Sequence, residues 1–105
     1  IGAIEGPELG YYDFDAKDYL RRKFEGIWEL IPLWGNPTIR DGKPFLHAHV
    51  AMSGRDFLAH GGHLFDARVG VVVEMVIRPF AKPLFRLDCA EIVLARWEPN
   101  QQQDA

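Results

Sequence analysis

Strict alternation of apolar and polar positions is plainest over Phe45–Met52, where Leu46, Ala48, Val50 and Met52 fall on one side and Phe45, His47, His49 and Ala51 on the other. A strand sends successive side chains to opposite faces, so this pattern predicts a strand with a core face and a histidine-bearing face. Before it, Arg40-Asp41-Gly42-Lys43 predicts a hairpin, since Asp-Gly supplies the positive φ that a tight turn needs. Ile27–Trp34, rich in β-branched and aromatic residues despite Pro32, predicts another strand that Gly35-Asn36-Pro37 would end. Tyr11–Phe14 and Leu20–Phe24 predict a strand pair joined by a polar hairpin through Asp15–Asp18. Ser53-Gly54-Arg55-Asp56 reads as a turn, Val69–Ile77 as a strand apolar on both faces in a covered central position, and Ile92–Trp97 as the last strand. No segment carries a convincing helical period, and no internal repeat or linker divides the chain.

Length and composition bound this picture. A chain of 105 residues suffices for one domain, and 48% hydrophobic against 26% charged residues suits a globular core rather than disorder. The domain is expected over 1–98, with 99–105, Glu-free and rich in Gln, as a fraying tail. No apolar run approaches the ~18 residues of a membrane helix. The opening residues do not form a signal peptide. The chain opens on Ile1 rather than Met, so a fragment or trimmed product is expected. Cys89 is the sole cysteine, which excludes an internal disulfide and makes a reducing cytoplasm the expected location.

Net charge is −3, whereas dedicated nucleic-acid-binding domains are usually basic. Arg21-Arg22-Lys23 is the dense basic cluster where DNA would be held; by composition alone it reads as a solvated strand face. The strongest chemical signal lies elsewhere. All four histidines, His47, His49, His60 and His63, fall within seventeen residues. His47 and His49 share a strand face, their Cα atoms about 6.6–6.8 Å apart. The Gly61-Gly62 pair would let the backbone bend to deliver His63 as a third ligand. Three neutral imidazoles suit Zn²⁺ and leave a fourth position open. Structural histidines are the competing reading; His60 would be a fourth ligand or, the better reading, a surface residue beside the glycine turn. Glu74, the one charge inside Val69–Ile77, would sit behind a ligand histidine as its hydrogen-bond acceptor, or pair with Arg68 or Arg78. A Ser/His/Asp mechanism is not supported by one Ser, Ser53, in a turn, and no phosphate loop is present. No catalytic residue is assigned.

These residues resemble a known family. Asp41-Gly42-Lys43-Pro44-Phe45-Leu46-His47-Ala48-His49-Val50, then Gly61-Gly62-His63-Leu64 and Glu74-Met75-Val76-Ile77, are similar to the PPC (plants and prokaryotes conserved) domain. Lys23-Phe24-Glu25, Glu29–Asn36 and Arg86-Leu87-Asp88 fit the same pattern. The resemblance implies an α+β domain, mainly antiparallel sheet, assembled as a homotrimer, with zinc at the matching histidines. It also implies a strand and a helix ahead of Ile1 that this chain lacks. Family members are associated with DNA, in plants through an AT-hook; no Arg-Gly-Arg-Pro core occurs here. The fold further resembles that of acetolactate decarboxylase, a three-histidine zinc enzyme. The expectations are therefore a trimeric, metal-binding, DNA-associated regulatory module, or alternatively a zinc enzyme on a small oxygenated substrate, or a small-ligand binding module.

Overall fold

The computed structural model describes residues 1–89 and 94–98. Seven strands run in chain order as β1 (Gly2–Asp13), β2 (Asp18–Lys23), β3 (Ile27–Arg40), β4 (Lys43–Ser53), β5 (Ala59–Val73), β6 (Phe85–Cys89) and β7 (Leu94–Glu98). They form one sheet in the order β2-β1-β5-β4-β3-β6-β7, antiparallel apart from the single β3–β6 pairing at Ile39 and Phe85. A further pairing of Ala3–Glu5 with Ile27–Glu29 joins β1 to β3, so β1, β5, β4 and β3 close on themselves like a small barrel. The fold is thus mainly antiparallel β. The helix in the α+β expectation has no counterpart among the described residues.

Local chemistry explains the turns. Asp41 and Gly42 take φ values of 52° and 73°, the two positive angles that a two-residue hairpin loop between twisted strands demands. In the β1–β2 turn the Asp13 carboxylate accepts hydrogen bonds from the Asp15 and Ala16 amides at 2.9 and 3.1 Å, replacing ladder bonds that the turn forgoes. Gly6, at φ 59°, lets β1 bend so that its first part pairs with β3 and its second with β2.

The core lies inside the closed circuit. Ile4, Leu9, Phe24, Leu30, Val50 and Met52 form it, with Trp28, Leu33, Leu64, Ala67 and Val73 packed around. Ala48, Val50 and Met52 of β4 are buried as their alternation predicts, but Leu46 is exposed; it pairs with Pro37 near the Asp41-Gly42 turn, away from the core cluster.

Three sequence expectations fail in β5. The strand spans Ala59–Val73, not Val69–Ile77, and Glu74–Ile77 lies beyond it. Gly61 and Gly62 are not a turn but strand residues at close backbone approaches: a Cβ would stand 2.7 Å from Val50 O at Gly61 and 2.7 Å from Gly10 O at Gly62. The valines are not covered on both faces either. β4 pairs with β5 only over Ala59–His63, so the Val69–Val73 half is flanked by β1 alone. Val69, Val71 and Val72, continued by Met75, Val76, Ile77 and Phe80, make an exposed apolar band. The last strand is described from Leu94; Ile92 and Val93 of the expected one, and the tail 99–105, lie outside the described residues. Among the described residues no helix is long and apolar enough to cross a membrane.

Candidate metal centre

Strand pairing brings the three histidines together. His47 and His49 project from one face of β4, and His49 lies directly opposite His63 of β5 in the ladder. Facing residues of paired strands share a side of the sheet with Cβ atoms about 4.5–5.5 Å apart. No glycine bend is needed; the register alone delivers His63, which corrects the expectation that Gly61-Gly62 would turn the chain toward the site. One ring nitrogen from each histidine lies within 4.8 Å of the other two. The Nε2 atoms of His47 and His49 stand 3.2 Å apart. That separation serves a shared proton, one Nε2–H donating to the other ring, or a shared ion. Tetrahedral zinc at 2.0–2.1 Å from each nitrogen requires about 3.3–3.4 Å between them.

Two further observations fit an ion. Nδ1 of His63 is buried and meets no hydrogen-bond partner, a costly state for a polar atom. Burial, then the neighbouring His47 and His49 and the more distant Arg21 and Arg86, push His63 down to about 4. Burial and Arg86 also lower His47. Both rings are therefore neutral at neutral pH, with lone pairs available for ligation.

The histidines open onto a cleft of about 730 Å³. Gly10, beside His63 in the β1–β5 register, hollows its floor: a Cβ there would stand 2.3 Å from the Phe65 ring. Tyr19 and Phe65 pack tilted against His63 with ring centroids at 4.9 and 4.6 Å. Burial, then Tyr12, raises the Tyr19 hydroxyl above its ordinary value. Arg86 of β6 is buried at the cleft's edge, its Nη2 donating to Asn36 Oδ1 at 2.8 Å and its Nε to Thr38 Oγ1 at 3.4 Å. Sequence reasoning gave Tyr19, Phe65 and Arg86 no role in the site. The usable signal was a single arginine set in the apolar run Leu84-Phe85-Arg86-Leu87.

The other singled-out residues are placed elsewhere. His60 is half-buried rather than on the surface: three residues before His63 in the same strand, it faces the opposite way and packs against Phe24 and Trp28. Glu74 is exposed beyond the far end of β5, where its backbone bonds to that of Ile1, and its carboxylate is not gathered with the histidines. The strand ends before it, so the alternation that would have turned it inward does not reach it. In the basic cluster, Arg21 pairs with Glu8 at 2.7 Å and stacks 3.6 Å over Phe65, and Arg22 lies 4.3 Å over Phe24. Lys23 is exposed.

An antiparallel β-domain with a three-histidine cluster at the edge of an aromatic cleft defines the class of protein. The chain belongs to the Plants and Prokaryotes Conserved (PCC, or PPC) domain family, whose model matches residues 1–81. It is similar to a PPC protein of Pyrococcus horikoshii at 30% identity, over 97% of this chain and 71% of that one, with a TM-score of 0.78. It is also similar to a candidate DNA-binding protein of Bacteroides thetaiotaomicron, at 25% identity, over 96% and 71%, TM-score 0.89. A metal-containing protein of Archaeoglobus fulgidus is similar at 30% identity, over 93% and 69%, TM-score 0.75. Comparison with curated proteins gives no match.

Proposed function

We propose that this chain is a metal-binding PPC module, assembled as a homotrimer, in which His47, His49 and His63 hold one Zn²⁺ at the mouth of a small-ligand cleft. The observation that carries the reading is the convergence of three ring nitrogens within 4.8 Å of one another. Zinc fits an all-imidazole set with one position left for another ligand, where the ion would polarise a carbonyl or acidify water. The similar protein of Archaeoglobus fulgidus, described as metal-containing, supports a metal in this fold. Because these groups face a cleft, a zinc enzyme on a small oxygenated substrate and a small-ligand module remain the two forms this function takes. One cysteine in the chain fits a reducing, cytoplasmic setting.

The trimer rests on the exposed band from Val69 to Phe80, an apolar surface of the kind that marks an interface. Analytical ultracentrifugation and equilibrium dialysis against Zn²⁺ test both parts. The expected particle has three 12.0 kDa chains and about one ion per chain. A stable 12.0 kDa species at micromolar concentration would overturn the assembly.

Association with DNA is the second reading, favoured by similarity to the Bacteroides thetaiotaomicron protein. Arg21, Arg22 and Lys23 would be its contacts, repeated on three subunits. Two of them are already engaged by Glu8 and by aromatic rings, and the chain is acidic. The expected affinity for duplex DNA is therefore weaker than about 10 μM at ~150 mM salt. A fluorescence-anisotropy titration giving sub-micromolar, sequence-selective binding at that salt would reverse this order of preference.

A further inference from the structure

Arg21, Gly10 and His63 stand in one row across β2, β1 and β5, since Gly10 faces Arg21 in one ladder and His63 in the other. Facing residues share a side of the sheet. Gly10 has no side chain, and the space above it is filled from both neighbouring strands. A Cβ there would stand 2.3 Å from the Phe65 ring and 3.0 Å from that of Tyr19. Phe65 reaches this place through a break in the ladder. Leu9 and Glu8, adjacent in β1, face Leu64 and Asp66 in β5, which leaves Phe65 between them as the extra residue of a β-bulge. A bulge re-aims a side chain, and bulges gather beside functional sites for that reason. Here the ring is laid against His63, with centroids 4.6 Å apart, and Tyr19 meets it edge-on at 4.9 Å.

The outer face of Phe65 is covered by a cation. The Arg21 guanidinium lies 3.6 Å over the ring, and its Nη1 donates to Glu8 Oε1 at 2.7 Å. Glu8 is two residues before Gly10 in β1, so it holds the guanidinium from the same side of the sheet. Arg22, one residue on, lies over Phe24 instead, because strand alternation divides the basic cluster between two faces. What this assembly supplies to His63 follows from what the imidazole lacks. A metal-bound histidine is usually aimed by an acceptor on its second nitrogen. Nδ1 of His63 meets no hydrogen-bond partner among the described residues, so the direction of the ring falls to the side chains packed on it. Resting on the metal reading above, we infer that Arg21 is a positioning residue of the metal centre: tied by Glu8, it clamps the bulged Phe65 ring over Gly10 and thereby holds His63 toward His47 and His49.

The full-length chain loaded with Co²⁺ tests this, since the visible absorption of the ion reports how its ligands are arranged. Arg21→Gln is expected to weaken Co²⁺ binding by about two- to thirtyfold, the range that a cation–π contact spans. The absorption bands should change with it, while far-UV circular dichroism stays that of the unaltered chain. Phe65→Leu, which removes the ring that Arg21 acts through, is expected to do the same. In the Phe65→Leu background Arg21→Gln should then have no further effect, because the two share one route to His63. Arg21 acting by charge alone would give the opposite sign, tighter Co²⁺ on its removal, and equally in both backgrounds. Tighter binding, equal effects in both backgrounds, or an unchanged affinity and spectrum in Arg21→Gln would each overturn the inference. Glu8→Gln keeps the guanidinium and the ring and releases only the tether. It is expected to move affinity and bands in the same direction, and decides the matter should the other variants not fold. Co²⁺ uptake unaffected by all three substitutions removes this inference alone, whereas failure of the unaltered chain to take up Co²⁺ removes the metal reading and this one with it.

Discussion

Replacing His63 by Ala is expected to abolish tight Zn²⁺ binding while leaving the strands paired. His63 is the ligand contributed from β5, opposite His49, and without it only the two β4 imidazoles remain. Removing an outer partner of a metal ligand typically costs about 10–100-fold in affinity, and loss of one of three protein ligands should exceed that. Competition against a chromophoric chelator measures it. His60→Ala is the control, because His60 packs between Phe24 and Trp28 on the other face and should bind zinc as the unaltered protein does. Equal zinc affinity in both variants would mean that the 3.2 Å contact of His47 and His49 is a hydrogen-bonded pair and not part of an ion site.

The second large effect concerns the wall behind the site. Met52 has no exposed surface and packs among Ile4, Leu9, Phe24, Leu30 and Val50. It pairs with Leu30 on one side and His60 on the other, so it ties β3, β4 and β5 together. Met52→Ala removes buried atoms and leaves a cavity that paired backbone cannot easily collapse into, a loss of about 2–5 kcal/mol. For a domain this size each kcal/mol lowers the melting midpoint by about 4–8 °C. Thermal denaturation at matched protein and metal concentrations checks it, since ligands and subunits also shift the midpoint. Met52→Leu, which conserves volume, should cost less than about 1.5 kcal/mol. An unchanged midpoint in the Ala variant would mean that Met52 does not bridge the core.

Much of this was legible in the sequence because it depends on neighbours along the chain. The period of two over Phe45–Met52 determined which residues of β4 face the core and put His47 and His49 together on the opposite side. Asp41-Gly42 determined the hairpin, as only residues tolerant of positive φ fit there. The histidine cluster, with His63 as its third member, was also named from sequence. What the chain alone did not determine was how His63 arrives. Gly61 and Gly62 look like a turn in one dimension. In three they are strand residues kept small by the carbonyls of Val50 and Gly10, and only pairing with β1 and β4 reveals that. The end of β5 was misplaced for the same kind of reason: valines and isoleucine favour strand locally, but β5 runs only as far as β1 accompanies it, and β1 gives out at Ile1, whose backbone exchanges the last bonds with Glu74. Glu74 stands at that boundary, one residue past the strand. Arg86 was decided wholly by tertiary structure. It lies 39 residues beyond His47, and it reaches the site because β6 runs beside β3, where Asn36 and Thr38 wait to bind it. No local pattern encodes a contact between strands so far apart; the closing of the sheet does.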